Sequence, residues 1–417
     1  MTSELFHKIE KCRVCGNEHL VTVLDLGEQY LSGIFPKKID LEMPRGPLRL
    51  VKCDEETGGC GHVQLEHTYD LPTMYGDNYG YRSGLNASMV DHLKAHAEMI
   101  DGHMGPFNDG DIVVDIAGND GTFLKNFRPG LRLLSIDPTS KKFSKYFEPH
   151  IDYVADFFSA DLFREQFGED KAKIITSFSM FYDLDDPVGF AKQVKECLSE
   201  GGVWVLEQSY MPEMLRQNSF DTVCHEHLSY YGLRQLKYIM DNAGLEIIDY
   251  FFNDTNGGSI VLIVSHQGGR IGEEDTVKIT AGIGTEIDER LDTVDPWLEF
   301  KDRMDENGIE CKKLLTELRR DGYKVAALGA STKGNVTLQT WGITANDILA
   351  VGDVNPDKHG SLTPGTWIPI RDEDEVLAYY DAFVVLPWHF KEFFIKNPKF
   401  KGKKLIFPLP TLDVVVP

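Results

Sequence analysis

The chain has 417 residues, of which 42% are hydrophobic and 26% are charged. This is the composition of a globular protein of two or three domains, and it excludes collagen-like, low-complexity and wholly disordered chains. The formal net charge is −23, so most of the surface repels nucleic acid and anionic lipid. We therefore expect no nucleic-acid or membrane partner, and an anionic small molecule would need a locally positive pocket.

No apolar run approaches the ~20 residues of a membrane span, and the first residues lack the basic start and apolar core of a signal peptide. The seven cysteines are an odd number in a long chain, which disfavours a secreted disulfide framework. A reducing cytoplasm is the expected environment. Four of the seven cysteines lie within the first 60 residues.

Hydrophobic periodicity predicts short strands over residues 1–70 and a helix over 85–105, with Leu85, Met89, Leu93, Ala97 and Ile100 on one face. From residue 111 strands alternate with helices, which predicts a parallel, doubly wound sheet.

A further strand is predicted over 256–264 and a long helix over 294–320. The strand, loop and helix pattern then restarts at Lys324, which indicates a second α/β unit. We expect three domains, at 1–70, 71–265 and 266–417.

The cysteine cluster begins with Cys12 and Cys15, whose two-residue spacing lets both sulfurs bind one tetrahedral ion. The second pair, Cys53 and Cys60, is separated by six residues that include glycines, and His62 is a possible substitute ligand. We expect a structural zinc site, because four thiolates leave no open position for chemistry.

A glycine-containing turn, Asp115 to Gly121, follows a predicted strand and opens a helix, so its backbone can approach a ligand closely. It is not the GxGxxG dinucleotide motif. Asp137 ends the next strand about 20 residues on, where an acid accepts from ribose hydroxyls. Asp156 and Phe157 are suited to adenine. This arrangement resembles a class I S-adenosylmethionine methyltransferase.

The segment FDTVCHEHLSYY, residues 220–231, is dense in proton-transfer groups and has three interpretations. A metal could bind His225 and His227, which share a face in extended chain. A neighbouring histidine could activate Cys224 as a nucleophile. One histidine could instead act as a general base held by Glu226 and nearby tyrosines.

A second loop, GASTKGN at 329–335, lies between a strand and a helix. Its backbone amides, hydroxyls and ammonium group make a cradle for an anion such as a nucleotide diphosphate. The spacing is not that of a P-loop. The candidate substrate-binding residues are Ser331, Thr332, Lys333 and Asn335.

Taken in order, these motifs resemble the sugar C-methyltransferases that act on nucleotide-linked keto-deoxysugars, such as the dTDP-sugar C-3 methyltransferases. The resemblance covers essentially the whole chain. The remaining motifs that carry it are YGYRSGLNASM at 79–89, NGGS at 256–259, DVNPDKHGSLTPG at 353–365 and LPWHF at 386–390.

The resemblance implies an α/β protein with a small N-terminal zinc-binding domain, a central class I methyltransferase Rossmann-like domain, and a second Rossmann-like α/β domain that helps to hold a nucleotide-diphosphate sugar. It implies S-adenosylmethionine as cofactor and structural Zn²⁺ at the four cysteines. The catalytic residues that it implies are His227, Glu226 and Tyr81. The cofactor-binding residues are Asp115, Gly118, Asn119, Asp120, Gly121, Asp137, Asp156 and Phe157.

The chain departs from the family pattern at three places: Cys224 stands where a tyrosine is frequent, Ala117 replaces the first loop glycine, and the Cys53–Cys60 spacing is expanded. The chemistry expected is removal of the C-3 proton beside a C-4 ketone by His227, with Glu226 orienting it or balancing its charge and Tyr81 donating to the enolate, followed by methylation at carbon. Two alternatives are a non-catalytic nucleotide-sugar-binding protein and a small-molecule O- or N-methyltransferase.

Overall fold

The computed structural model describes residues 5–70, 81–268 and 272–417. Four sheets are formed within these ranges, with two, seven, four and six strands. None of the helices that the structure describes is both long enough and apolar enough to cross a membrane.

The N-terminal region is built from strands, as the sequence predicts, and the structure shows that they pair antiparallel. A two-stranded sheet pairs β1 with β5, and a four-stranded sheet has the order β11-β4-β3-β2. Strand β11 comes from far along the chain, so a central segment completes an N-terminal sheet. The strands are β1 (Phe6–Lys8), β2 (Leu20–Tyr30), β3 (Arg45–Cys53), β4 (Val63–Leu65), β5 (His67–Tyr69) and β11 (Ser229–Tyr230).

The central sheet has the order β12-β13-β10-β9-β6-β7-β8. Strands β10, β9, β6, β7 and β8 are parallel neighbours, and β13 runs antiparallel to both β10 and β12. Its strands are β6 (Ile112–Ile116), β7 (Arg132–Ile136), β8 (Ile151–Val154), β9 (Ala172–Phe178), β10 (Leu198–Ser209), β12 (Leu245–Asn253) and β13 (Ser259–His266).

The C-terminal sheet has the order β16-β15-β14-β17-β18-β19 and is parallel except for its last pair. The predicted second α/β unit is therefore present. Its strands are β14 (Val325–Leu328), β15 (Val351–Asp353), β16 (Ile370–Asp372), β17 (Ala382–Val385), β18 (Lys404–Phe407) and β19 (Asp413–Val415).

Helices cover these sheets, with apolar side chains spaced three or four residues apart facing the cores. In the described part of the chain they are α1 (Ala87–Met104), α2 (Ser140–Phe143), α3 (Ala160–Phe167), α4 (Pro187–Cys197), α5 (Met211–Arg216), α6 (Leu233–Ala243), α7 (Glu273–Asp288), α8 (Asp295–Arg320), α9 (Thr332–Trp341), α10 (Glu373–Tyr379) and α11 (Lys391–Lys396).

Two of these helices test the sequence predictions directly. Helix α8 matches the predicted long helix and buries Trp297, Phe300 and Met304 between β2 and β14. Helix α1 begins later than predicted, because Leu85 belongs to a preceding 3₁₀ turn and is 63% exposed. The Asn86 side chain caps α1 by accepting from the Ser88 amide, which explains where the helix starts.

Candidate active site

The four N-terminal cysteines converge on one point. The Sγ atoms of Cys12 and Cys60 are 3.7 Å apart, those of Cys15 and Cys53 are 3.5 Å apart, and all four lie within 4.8 Å of one another. Thiolates bound to one tetrahedral zinc at about 2.3 Å are separated by about 3.8 Å. The cluster therefore fits a structural zinc ion.

Glycines allow the longer spacing between Cys53 and Cys60. Gly58 has φ of +86°, and a Cβ at Gly59 would lie 2.5 Å from Cys53 Sγ. His62 is not needed as a ligand, because its Nε2 lies 3.1 Å from Ser229 Oγ and its ring stacks on Tyr231.

The glycine turn after β6 lies against the end of β7. Asp137 accepts from the Asn119 amide at 2.9 Å, and from the amide and hydroxyl of Thr139 at 2.6 and 2.5 Å. Ala117 adopts φ of +59°, a left-handed conformation that suits the glycine it replaces. A Cβ at Gly118 would lie 2.5 Å from Ser135 Oγ, and one at Gly121 would lie 2.9 Å from the Phe147 ring.

Two residues of this turn hold the segment that contains Tyr81. Asn119 Oδ1 accepts from the Ser83 amide, and its Nδ2 donates to the Tyr81 carbonyl. Asp120 Oδ2 accepts from the Gly84 amide at 3.1 Å and from Arg82 at 3.2 Å. These side chains position Tyr81, which is 48% exposed, beside the turn.

The other predicted cofactor residues differ in exposure. Asp115 is buried beneath the turn and accepts from Thr176 Oγ1 at 2.7 Å. Burial raises the pKa of its carboxyl to about 7. Asp156 and Phe157 follow β8 at the same carboxyl edge of the sheet, where both are exposed.

The two histidines of the segment 220–231 have different surroundings. His225 points towards the N-terminal sheet, with Nε2 3.3 Å from the Gly46 carbonyl. His227 Nδ1 lies 2.8 Å from the Thr222 carbonyl, and a carbonyl accepts only from a protonated Nδ1. The proton on Nδ1 leaves Nε2 of a neutral ring as the basic atom.

Burial lowers the pKa of His227 to about 4, and the charge of Lys333 acts in the same direction. The ring is therefore neutral at physiological pH. It lines a narrow pocket at the carboxyl end of β10 with Tyr182, Ser209, Met211, Met214 and Tyr230.

The other two interpretations of the segment find less support. Burial raises the pKa of Cys224 well above its ordinary value, so its thiolate is disfavoured. The two clusters of metal-binding side chains found among the described residues contain neither His225 nor His227.

Glu226 does not contact the His227 Nδ1 atom, whose partner is Thr222. The Oε1 atom of Glu226 faces Gly33, where an added Cβ would lie 3.0 Å from it, and Thr332 borders the same gap. The Oε2 atom is buried and has no hydrogen-bond partner among the described residues. Burial raises the pKa of this carboxyl. The geometry therefore gives Glu226 a place beside the second loop.

That second loop reaches the same region from the C-terminal sheet. Ser331 caps α9 by accepting from the Gly334 amide at 3.0 Å. The Lys333 ammonium donates to the Asn256 carbonyl at 3.0 Å, and its charge acts on both His227 and buried Asp221. Asn335 is fully buried and its amide donates to the Ser32 carbonyl, so this side chain joins two parts of the protein.

Sequence reasoning missed several residues of this region. Tyr182 places its ring centroid 4.4 Å from that of His227, and Trp388 Nε1 donates to Asp221 at 2.9 Å. No local pattern indicates these contacts. The sequence analysis also missed His92 and His96. Here a signal existed, because a four-residue spacing on a predicted helix is a known pattern of two metal-binding histidines.

Comparison with protein families yields three matches in chain order. A zinc binding domain matches residues 12–75, a methyltransferase domain matches 93–250, and a C-methyltransferase C-terminal domain matches 254–410. A curated relative, C-methyltransferase NovU of Streptomyces niveus, is 26% identical over 423 residues, covering 99% of this chain and 98% of its own.

Two similar solved structures each match less than half of this chain. The Haloferax volcanii complex of the Trm112 methyltransferase activator with a methyltransferase matches at 16% identity and a TM-score of 0.36, covering 44% of this chain and 93% of that one. A methyltransferase from Clostridium acetobutylicum matches at 14% and 0.34, covering 43% and 92%.

The three domain matches account for most of the chain, and the full-length relative has the same overall extent. The methyltransferase domain uses S-adenosylmethionine, and the four cysteines form the metal site of the zinc-binding domain. The chain belongs to the S-adenosylmethionine-dependent C-methyltransferases that combine these three domains.

Proposed function

We propose that this protein methylates C-3 of a nucleotide-linked 4-keto-deoxysugar through an enolate that His227 generates. The observation that carries the proposal is the His227 Nδ1 contact with the Thr222 carbonyl. It fixes the tautomer whose free Nε2 accepts a proton, in a pocket at the carboxyl end of β10.

The low pKa of His227 keeps the base unprotonated at neutral pH. The imidazole Nε2 takes the C-3 proton, and the electron pair of the C–H bond moves towards the C-4 oxygen. An enolate forms readily only where donors are already in place. We assign this role to the Tyr81 hydroxyl, because Asn119 and Asp120 hold its segment beside the cofactor turn.

S-adenosylmethionine, when bound, supplies the electrophilic methyl group that the C-3 carbon takes. The residues that would hold it are Asp137, at the end of β7, and the exposed pair Asp156 and Phe157 beyond β8. Asp115 and Gly118 shape the turn from below.

We assign the substrate's diphosphate to Ser331, Thr332 and Lys333. The ammonium of Lys333 is a partly buried cation close to the base in a chain of net charge −23, so it marks where an anionic substrate finds positive charge. Asn335 is left out of this assignment because its amide is already bound to Ser32. NovU, by its name, is also a C-methyltransferase, which agrees with transfer to carbon.

The test uses dTDP-4-keto-6-deoxyglucose in deuterated solvent and measures two events separately. Exchange of the C-3 hydrogen reports deprotonation, and mass spectrometry after mild hydrolysis reports a methyl group on carbon. Loss of a general base costs about 100- to 10,000-fold in rate, so His227→Asn is expected to lose exchange and methylation together while calorimetry still detects both ligands.

Cys224→Ser is the matched control, because it changes a buried neighbour three residues away without removing the base. It is expected to keep substantial activity. An inactive Cys224→Ser with an active His227→Asn would establish covalent catalysis instead. A methyl group that hydrolysis removes would indicate O-methylation, and binding without exchange in the wild type would indicate a non-catalytic sugar-nucleotide binder.

A further inference from the structure

A second cluster of metal-binding side chains lies outside the four-cysteine site. His92 and His96 are one turn apart on α1 and therefore share a face, and Glu207 comes from β10. His92 Nε2 is 2.9 Å from both carboxylate oxygens of Glu207, and His96 Nε2 is 2.6 Å from Oε2. The two Nε2 atoms are 3.1 Å apart.

With Glu207 ionised, no arrangement of protons makes all of these contacts favourable. If both imidazoles donate from Nε2 to Glu207, their two N–H groups also face each other at 3.1 Å with no acceptor between them. If either Nε2 is unprotonated, its lone pair faces the carboxylate. A cation between the three groups removes the conflict, because each then directs a lone pair at positive charge.

The spacing also fits a metal centre. Donor atoms bound about 2.1 Å from one metal ion at right angles are about 3.0 Å apart, and the contacts here span 2.6 to 3.1 Å. Three such donors occupy one face of an octahedron and leave the opposite positions open, as in two-histidine, one-carboxylate centres.

The surroundings of the cluster hold the three side chains in place. Thr255 Oγ1 packs beside the His92 ring, 3.2 Å from Nδ1 and 3.4 Å from Nε2. Asn253 Nδ2 donates to Glu207 Oε2 at 3.0 Å. The His96 ring stacks on Phe178 with centroids 5.0 Å apart.

From this geometry we propose that His92, His96 and Glu207 bind a divalent first-row transition-metal ion, independently of the zinc bound by the cysteines. Two imidazoles and one carboxylate suit zinc, cobalt, nickel or iron better than calcium or magnesium, which prefer all-oxygen sites. The His92 side chain is 19% exposed against 6% for His96 and 1% for Glu207, so the ion enters past His92.

The test uses the full chain purified with one zinc per molecule in the four-cysteine site, titrated with Co²⁺ under calorimetric and visible-absorption detection. We expect one further equivalent of Co²⁺ with the weak absorption of a nitrogen and oxygen site. Loss of an outer contact to a metal ligand typically costs 10- to 100-fold in affinity, so removal of a ligand in His96→Asn should cost about 100-fold or more.

His103→Asn is the matched control, since His103 is an exposed histidine on the same helix, and its Co²⁺ affinity should equal that of the wild type. If His96→Asn does not fold by circular dichroism, the partly exposed His92→Asn replaces it. The proposal is overturned if the wild type binds no additional Co²⁺, if the folded ligand variant binds it as tightly, or if intense thiolate absorption shows that Co²⁺ has displaced the zinc.

Discussion

Asp137 has most of its hydrogen-bonding capacity in use before any ligand arrives. A carboxylate offers about four acceptor positions, and Asn119 and Thr139 take three of them. One direct contact to a ribose hydroxyl remains, and a second requires the Thr139 hydroxyl to turn away. The same side chain therefore shapes the turn and would bind the cofactor.

We expect Asp137→Ala to weaken S-adenosylmethionine binding by about 30- to 150-fold, measured by calorimetry. The reason is the loss of charge-assisted hydrogen bonds worth roughly 2–3 kcal/mol. Asp152→Ala is the control, because Asp152 is an exposed carboxylate on the adjacent strand β8. Unchanged affinity in Asp137→Ala would place the cofactor elsewhere.

The place of individual residues in a site was predictable where a spacing or a motif in the sequence marks them. The cysteine spacing led to a cluster that the structure confirms, and the family motif singled out His227, whose catalytic role stays a prediction. The partner of His227 was not predictable, because the Thr222 carbonyl is a backbone atom without a sequence signature. Asn335 matched a loop pattern, but its contact with Ser32 depends on how the two ends of the chain pack.

At the scale of elements, the beginning of α9 carries the substrate proposal. Lys333 lies in the first turn of this helix, and the Ser331 cap fixes the turn from which its side chain extends towards His227. The loop therefore places the cation of Lys333 near His227, the proposed base.

Lys333→Ala is expected to weaken binding of a nucleoside diphosphate about 10- to 150-fold, the effect of losing a charge-assisted contact, and to leave S-adenosylmethionine binding intact. Calorimetry with dTDP, GDP and CDP measures this and identifies the preferred base. Lys324→Ala, an exposed lysine just before β14, is the control. A variant that loses only cofactor affinity would reverse the roles of the two α/β units.

The presence of a helix or strand was more predictable than the residues at which it begins and ends. Strands such as β6 and β14 are short apolar runs bounded by turns, and they appear where the sequence places them. The predicted start of α1 was wrong. The apolar Leu85 fits the helical period, but the cap at Asn86 decides where the helix begins. The pairing of β11 with β4 joins residues more than 160 positions apart, which no local period indicates.

At the scale of the whole molecule, that pairing connects the metal site to the segment that contains the proposed base His227. The Leu65 amide donates to the Leu228 carbonyl at 2.8 Å, Ser229 contacts His62, and Gln235 donates to the Cys60 carbonyl. The zinc-binding region therefore packs against the segment that contains His227 and supports it.

Metal analysis of the wild type is expected to find about one zinc ion per chain at the four cysteines. Cys12→Ser is expected to lose it, because three thiolates hold the ion less tightly than four. Methylation should fall with it, since β4 would no longer hold β11 in register. Cys311→Ala removes a buried thiol of α8 that lies outside both clusters of metal-binding side chains found among the described residues, and this variant should keep its zinc. Full zinc retention in Cys12→Ser would contradict the assignment.

The division into three domains at 1–70, 71–265 and 266–417 stays a prediction. Composition and the alternation of strands and helices suggested where units begin, but the first region shares a sheet with Ser229 and Tyr230 and a core with α8. Boundaries drawn along the sequence do not capture elements that cross between units.

The bonds from Asn119 and Asp120 to the segment at Tyr81 have a thermodynamic consequence. One short turn contacts both the place proposed for the cofactor and the residue proposed to meet the sugar, so a shift of the turn on binding one ligand changes the fit of the other. Such coupling is reciprocal: the factor by which the cofactor tightens sugar binding equals the factor by which the sugar tightens cofactor binding. Weakening the tether, as in Asp120→Ala, is expected to reduce this factor, which calorimetry of each ligand with and without the other would measure.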